Sequence, residues 1–309
     1  MRAVVVDPES QARLSVAEVE EPEPGPLEAL VRVAAISLNR GEVRRAEAAE
    51  PGFRPGWDLA GTVERPAADG PGEGARVVGF LPSGAWAELA AVPTNALAEL
   101  PDGVSFEEAA MLPVAGLTVL YALDKGGNLQ GKNVLITGAS SGAGQFALQL
   151  ARMSGARVAA LVRRPEHEEL AREAGAQEVA VDENGAAAEE YGPYHLILES
   201  VGGDVLGNVL PTLAPEGTRV SFGVSGGAEV TFDARELYLT GGAKLYGFIH
   251  FYEVIARPAS AGLSRFVKLG DEGRLKPSIE VEAPWTDVGE VASRLIDRGY
   301  TGKAVLHVS

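Results

Sequence analysis

The chain has 309 residues, 46% hydrophobic and 23% charged, a balance that suits globular protein and leaves room for two domains. Acidic residues outnumber basic ones by 43 to 27, and the formal charge of −16 disfavours nucleic acid and anionic membranes as partners. No cysteine is present, which excludes disulfides, thiolate nucleophiles and a four-cysteine zinc lobe.

The opening "MRAVVVDPES" has no apolar core of signal length. The longest apolar stretch, residues 109–123, contains Pro113 and Gly116 and is too short to span a bilayer. A cytoplasmic protein is expected. The first hundred residues carry short β-type runs, "RAVVV", "EALVRVAAIS", "LAGTVE", "ARVVGF" and "AWAELAAV", separated by turns such as "EPEPGP" and "GPGEGA". They predict a small β-barrel-like domain.

From about residue 105 strands alternate with helices. Strands are predicted at 133–137, 157–162, 178–181, 195–199, 218–222 and 243–248, with helices at 143–154 and 166–174 among those between them. Six strands with crossover helices predict a doubly wound parallel α/β sheet. The tail, 250–309, returns to mixed elements and ends in the strand-like "GKAVLHV".

"LITGASSGAG" (135–144) joins an apolar strand, a glycine turn and a helix. Its spacing fits both T-G-x-x-x-G-x-G and, through Gly142, Gly144 and Ala147, G-x-G-x-x-A. Glycines let backbone N–H groups approach a pyrophosphate, and a helix N-terminus favours its charge. Gly142, Ala143, Gly144 and Gln145 are therefore candidate cofactor-binding positions. NAD-preferring sites usually end the next strand with an acid that holds the ribose 2′-hydroxyl. Here that strand ends in "AALVRRPEH", and Arg163 and Arg164 suit a 2′-phosphate instead. NADPH is the expected cofactor.

The first spacing is that of short-chain dehydrogenases, which need Tyr-x-x-x-Lys after the turn. The one such motif, Tyr121 to Lys125, precedes the turn on an apolar helix and reads as helix surface. That family would also leave the first 130 residues unexplained.

The whole chain instead resembles the medium-chain dehydrogenase/reductase superfamily, in its zinc-independent quinone oxidoreductase branch. The resemblance rests on "AAISLNRGEV" (34–43), "RPGWDLAGTVE" (54–64), "GAWAELAAV" (84–92), residues 100–123, the glycine turn, "ESVGG" (199–203), "VSFGVSGG" (220–227) and "TGKAVL" (301–306). It implies a Rossmann domain (109–248) inserted in a discontinuous GroES-like β-barrel domain (1–108 and 249–309). It also implies a homodimer, with the apolar strand in "AKLYGFIHF" (243–251) pairing across a two-fold axis.

Zinc-dependent relatives carry a cysteine with an acid three residues later, then Gly-His-Glu. Those positions are Asn39 and Glu42, then Gly56, Trp57 and Asp58, so a catalytic zinc is not expected. Hydride transfer from NADPH to a quinone or α,β-unsaturated carbonyl is the implied reaction. An enoyl-thioester reductase and a non-catalytic NADPH-binding sensor or stress protein are the alternatives. By resemblance Asn39 hydrogen-bonds the acceptor carbonyl, while Thr118, Val201, Phe222, Gly223 and Phe248 line the cofactor. Lys303 reaches either cofactor or solvent. Water or Tyr246 is left as proton donor. His167 stands where some relatives place a lysine for the 2′-phosphate, and Asp182 where they place a tyrosine against the cofactor.

Overall fold

The computed structural model describes residues 1–309 and resolves into two compact units, Met1–Leu117 with Val254–Ser309, and Thr118–Glu253. The first unit opens with an antiparallel ribbon of β1 (Arg2–Val6) and β2 (Leu14–Glu18). Then come β3 (Glu28–Ser37), α1 (Arg40–Glu47), β4 (Asp58–Arg65), β5 (Arg76–Phe80), β6 (Leu89–Pro93), β7 (Leu97–Glu99) and α2 (Phe106–Ala110).

The second unit comprises most of α3 (Leu117–Asp124), then β8 (Asn133–Thr137), α4 (Gly142–Met153), β9 (Arg157–Val162), α5 (Glu168–Glu173) and β10 (Glu178–Val181). It continues with β11 (Tyr194–Glu199), α6 (Gly203–Val209), β12 (Leu213–Ser221), α7 (Ala234–Leu239), β13 (Lys244–Gly247) and the start of α8 (His250–Ala256). The chain re-enters the first unit for α9 (Ala259–Asp271), β14 (Ile279–Pro284), α10 (Val288–Ile296) and β15 (Lys303–His307).

The sheet of the first unit runs β14-β15-β3-β4-β5-β7, with β6 also on β3, and only the β14–β15 pair is parallel. This is the GroES-like domain. Its register decides where the polar residues meet. Ser37 at the end of β3 lies opposite Asp58 at the start of β4 and Val305 of β15. One stretch departs from the sequence reading. Residues 85–88 of "AWAELAAV" stand outside β6 because their backbone serves β1: Val4 donates to the Trp86 carbonyl and Glu88 to that of Arg2.

The sheet of the second unit is wholly parallel, in the order β10-β9-β8-β11-β12-β13. Two βαβαβ halves meet between β8 and β11, the doubly wound dinucleotide-binding arrangement. On one face Leu135, Leu161, Ile197, Val205, Val209 and Leu213 are buried together, each contributing about 1.5–3 kcal/mol. Tyr194 is buried among them, and its hydroxyl donates to the Ala188 carbonyl at 2.6 Å.

Both unit boundaries fall later than the sequence reading placed them. Residues 111–117 stay with the first unit because the Val114 N–H bonds Asp58 Oδ1 at 3.0 Å and Gly116 abuts the Phe266 ring.

Candidate active site

In the first unit the sequence begins α1 with a capping box. Asn39 is the N-cap, and its backbone N–H donates to Glu42 Oε1 at 2.6 Å. That bond turns Glu42 inward, where its Oε2 accepts the Trp57 backbone N–H at 2.7 Å. Trp57 follows Gly56, whose φ of +109° and approach to Trp86 exclude any side chain. Asp58 is fully buried. Its Oδ1 accepts the Val114 N–H, and its Oδ2 accepts Ser37 Oγ at 2.8 Å and Asn39 Nδ2 at 2.7 Å.

Lys303, at the start of β15, enters this cluster because β15 runs beside β3. Its Nζ donates to the Leu38 carbonyl at 3.1 Å, Asn39 Oδ1 at 2.8 Å and Asp58 Oδ2 at 3.4 Å. Two sequence expectations are corrected here. Lys303 points neither to cofactor nor to solvent, because a buried ammonium takes the acceptors that satisfy it. Asn39 has no N–H left for an acceptor carbonyl, since Nδ2 donates to both Glu42 Oε1 and Asp58 Oδ2.

One ammonium therefore serves a cluster of two carboxyl groups, paired with Asp58 and acting on Glu42 through its charge. Burial, reinforced by the charge of Asp58, holds the Glu42 carboxyl well above its ordinary range, against the opposing pull of Lys303 and the Asn39 bonds. The cluster does not fit a zinc ion. Its carboxylate oxygens already receive N–H, O–H and ammonium donors, Asn39 Oδ1 is taken by Lys303, and Trp57 contributes an indole packed on Gly41.

In the second unit the candidate cofactor residues gather at the carboxyl ends of the parallel strands. After β8, Ser141 caps α4 by accepting the Gly144 N–H at 3.0 Å. Gly144 cannot be larger, because a Cβ would stand 2.4 Å from the Gly138 carbonyl oxygen. Gly142 and Ala143 open the helix partly exposed, whereas Gln145 is buried and returns its amide to the Ser140 carbonyl. After β9, Arg163 is half-buried and Arg164 exposed, 3.6 Å from Glu166. His167 lies close behind in sequence, with its Nδ1 buried and without a hydrogen-bond partner in the chain.

Val201 follows β11; Phe222 and Gly223 follow β12. Phe248 follows β13 and meets Phe222 edge-to-face at 6.4 Å. Thr118 is buried on α3. Asp182 turns into its own loop, accepting the N–H groups of Asn184 and Ala187.

Three features escaped the sequence reading. Ser37, Asp58 and Glu42 form one network, whereas the sequence marked Glu42 and Asp58 only as positions where zinc-dependent relatives carry motif residues. Glu199 is a buried acceptor for four donors. Tyr121 and Lys125 are not helix surface: Tyr121 is buried, and Lys125 Nζ bonds Tyr246 Oη and Glu253 Oε2, each at 3.0 Å. The Tyr246 hydroxyl donates to Glu253, so its proton is engaged within the chain.

Removing one partner of a buried ion pair costs about 3–5 kcal/mol. Lys303→Met should lose stability on that scale at neutral pH and less in acid. The sign follows from Glu42. Lys303 pulls the Glu42 value down, so removing it raises that value further. An acid whose folded value is raised costs stability as pH rises from its ordinary range through the raised value, and the variant therefore loses more than the wild type as pH rises. Urea unfolding across pH is the check; a loss below about 1 kcal/mol at neutral pH would mean that Lys303 is dispensable to the cluster.

Comparison with known proteins agrees with this architecture. The alcohol dehydrogenase GroES-like domain family matches residues 25–102, and the zinc-binding dehydrogenase family matches 142–261. A chloroplastic quinone oxidoreductase of Triphysaria versicolor is 31% identical over 99% of this chain and 98% of its own. A trans-enoyl reductase of Aspergillus terreus is 35% identical over 56% of this chain and 65% of its own. In fold, the crystal structure of Escherichia coli quinone oxidoreductase complexed with NADPH superposes with a TM-score of 0.88 at 23% identity, over all of both chains. Matched end to end by the Triphysaria relative, the chain belongs to the medium-chain dehydrogenase/reductase superfamily, in its quinone oxidoreductase-like branch.

Proposed function

We propose that the protein is an NADPH-dependent oxidoreductase that passes hydride to a quinone or an α,β-unsaturated carbonyl. The observation that carries this reading is the glycine turn after β8 together with the arginine pair after β9, where an acid would repel a 2′-phosphate. The residues present fit the cofactor. The first turn of α4 suits the pyrophosphate, and Arg163, Arg164 and the unpartnered Nδ1 of His167 suit the 2′-phosphate. The Arg164–Glu166 pair does not compete, since exposed pairs contribute about 0–1 kcal/mol and a charged hydrogen bond about 1.5–3 kcal/mol.

When bound, NADPH supplies a hydride; the chain must bind it, orient it and tolerate the charge left on the acceptor. The first unit has little to offer a localised alkoxide. Both N–H groups of Asn39 and all three of Lys303 already have acceptors inside the cluster. A quinone or enone needs less help, because its product anion is delocalised over the conjugated system. Asn39 keeps a part in this reading as a positioning residue, tying Glu42 and Asp58 to Lys303. Reduction of an enoyl thioester is the second reading, favoured by the likeness to the trans-enoyl reductase. NADPH oxidation measured with quinones, enones, enoyl-CoA esters and simple ketones separates these readings. Quinones or enones should turn over fastest, and a preference for simple ketones would overturn the proposal.

Arg163→Ala with Arg164→Ala should weaken NADPH binding about tenfold to a hundredfold, the scale of one lost charged contact, and leave NADH nearly unchanged. Equal weakening of both nucleotides would make the pair structural.

The same reading makes the protein a homodimer. Strand β13 pairs only with β12, and Leu245, Ile249 and Tyr252 on or beside it are exposed. An exposed apolar edge invites a second strand. Light scattering at micromolar concentration should give the dimer mass; a monomer mass would reject it.

A further inference from the structure

We infer that Glu199 is a positioning residue whose fixed negative charge, beneath the nicotinamide half of the cofactor crevice, favours the oxidised cofactor over the reduced one. This rests on the cofactor reading above. In a doubly wound sheet the ligand lies outside the carboxyl ends of the strands, at the point where strand order reverses. Here that point falls between β8 and β11, and Glu199 is the last residue of β11. The arginine pair belongs to the first mononucleotide-binding half (β8 to β10), which assigns the adenosine end there. The nicotinamide end is left to the half that β11 begins.

Glu199 is fully buried, and each of its hydrogen-bond donors is neutral. Its Oε1 accepts Thr137 Oγ1 at 3.3 Å, the Val201 N–H at 2.6 Å and the Gly202 N–H at 2.8 Å; its Oε2 accepts Ser221 Oγ at 3.2 Å. One carboxylate therefore ties together the ends of β8, β11 and β12 and fixes the loop that carries Val201. Thr137 reinforces the arrangement, accepting the Ser200 N–H at its hydroxyl and the Ser200 hydroxyl at its carbonyl. The cation that senses this charge is Arg219, on the neighbouring strand, which does not hydrogen-bond to it. The nicotinamide ring is neutral when reduced and cationic when oxidised. A nearby carboxylate without a bonded cation therefore discriminates between the two forms, and it favours the positive charge that grows on the ring as hydride departs.

The geometry permits a clean test. A glutamine with its carbonyl at the Oε1 position keeps all three donors there. Its amide then faces Ser221 Oγ, a hydroxyl that accepts as readily as it donates. Glu199→Gln should thus remove the charge and preserve the shape. Binding of NADP⁺ and NADPH is measured separately by titration calorimetry, with thermal unfolding alongside. The expected result is NADP⁺ weakened about tenfold, NADPH changed less than about twofold and an unfolding midpoint near that of the wild type. Arg219→Met, which removes the opposing charge, should move the same ratio the other way. Unchanged ratios in both variants, or equal weakening of both nucleotides, would overturn the inference and leave the cofactor assignment standing. Wild-type protein that bound neither nucleotide would overturn that assignment, and this inference with it.

Discussion

A buried carboxylate must find donors or give up its charge, and each unit of this protein is organised around that constraint. In the first unit Asp58 and Glu42 lie out of water, and the one ammonium, that of Lys303, pairs with Asp58 and acts on Glu42 only through its charge. The end of β3, the start of β4, the start of β15 and the first turn of α1 meet there because those two carboxylates need their donors. In the second unit Glu199 draws the ends of three parallel strands together with neutral donors alone. The first solution is an ion cluster and the second a hydrogen-bond knot.

That difference bears on chemistry. A zinc-dependent relative would present a metal to its substrate from the motifs that here hold Asn39, Glu42, Trp57 and Asp58. This chain turns those residues inward and closes them with Lys303, so the cluster is saturated before any substrate arrives. Along the carboxyl ends of its strands the second unit carries in turn the arginine pair after β9, the first turn of α4 after β8 and Glu199 at the end of β11.

Much of this was legible in the sequence, for local reasons. The six parallel strands are short apolar runs bounded by glycine, proline or helical patterns, and the helix after β8 begins where the glycine turn and Ser141 require it. The arginine pair was visible because a strand end is a position with a known electrostatic task. The ion cluster was not. Asn39 and Lys303 are separated by 264 residues, and only the register of β15 on β3 brings them together. A lysine in a strand-like tail carries no signal of burial, and solvent is the ordinary place for it. The same holds for Lys125 and Tyr246, which join the turn after α3 to β13. Residues 85–88 were misread because an alternating apolar run does not say which neighbour its backbone will serve.

The two-carboxylate, one-cation cluster is the feature on which the first unit depends, and infrared spectroscopy reads its protonation directly. Spectra of the wild type minus those of Glu42→Gln, taken across pH, isolate the Glu42 carboxyl. The expected result is a protonated-carboxyl band that persists above the ordinary glutamate range and belongs to Glu42. A Glu42 carboxyl fully ionised at its ordinary pH would contradict the account, because Lys303 would then be balancing both charges alone.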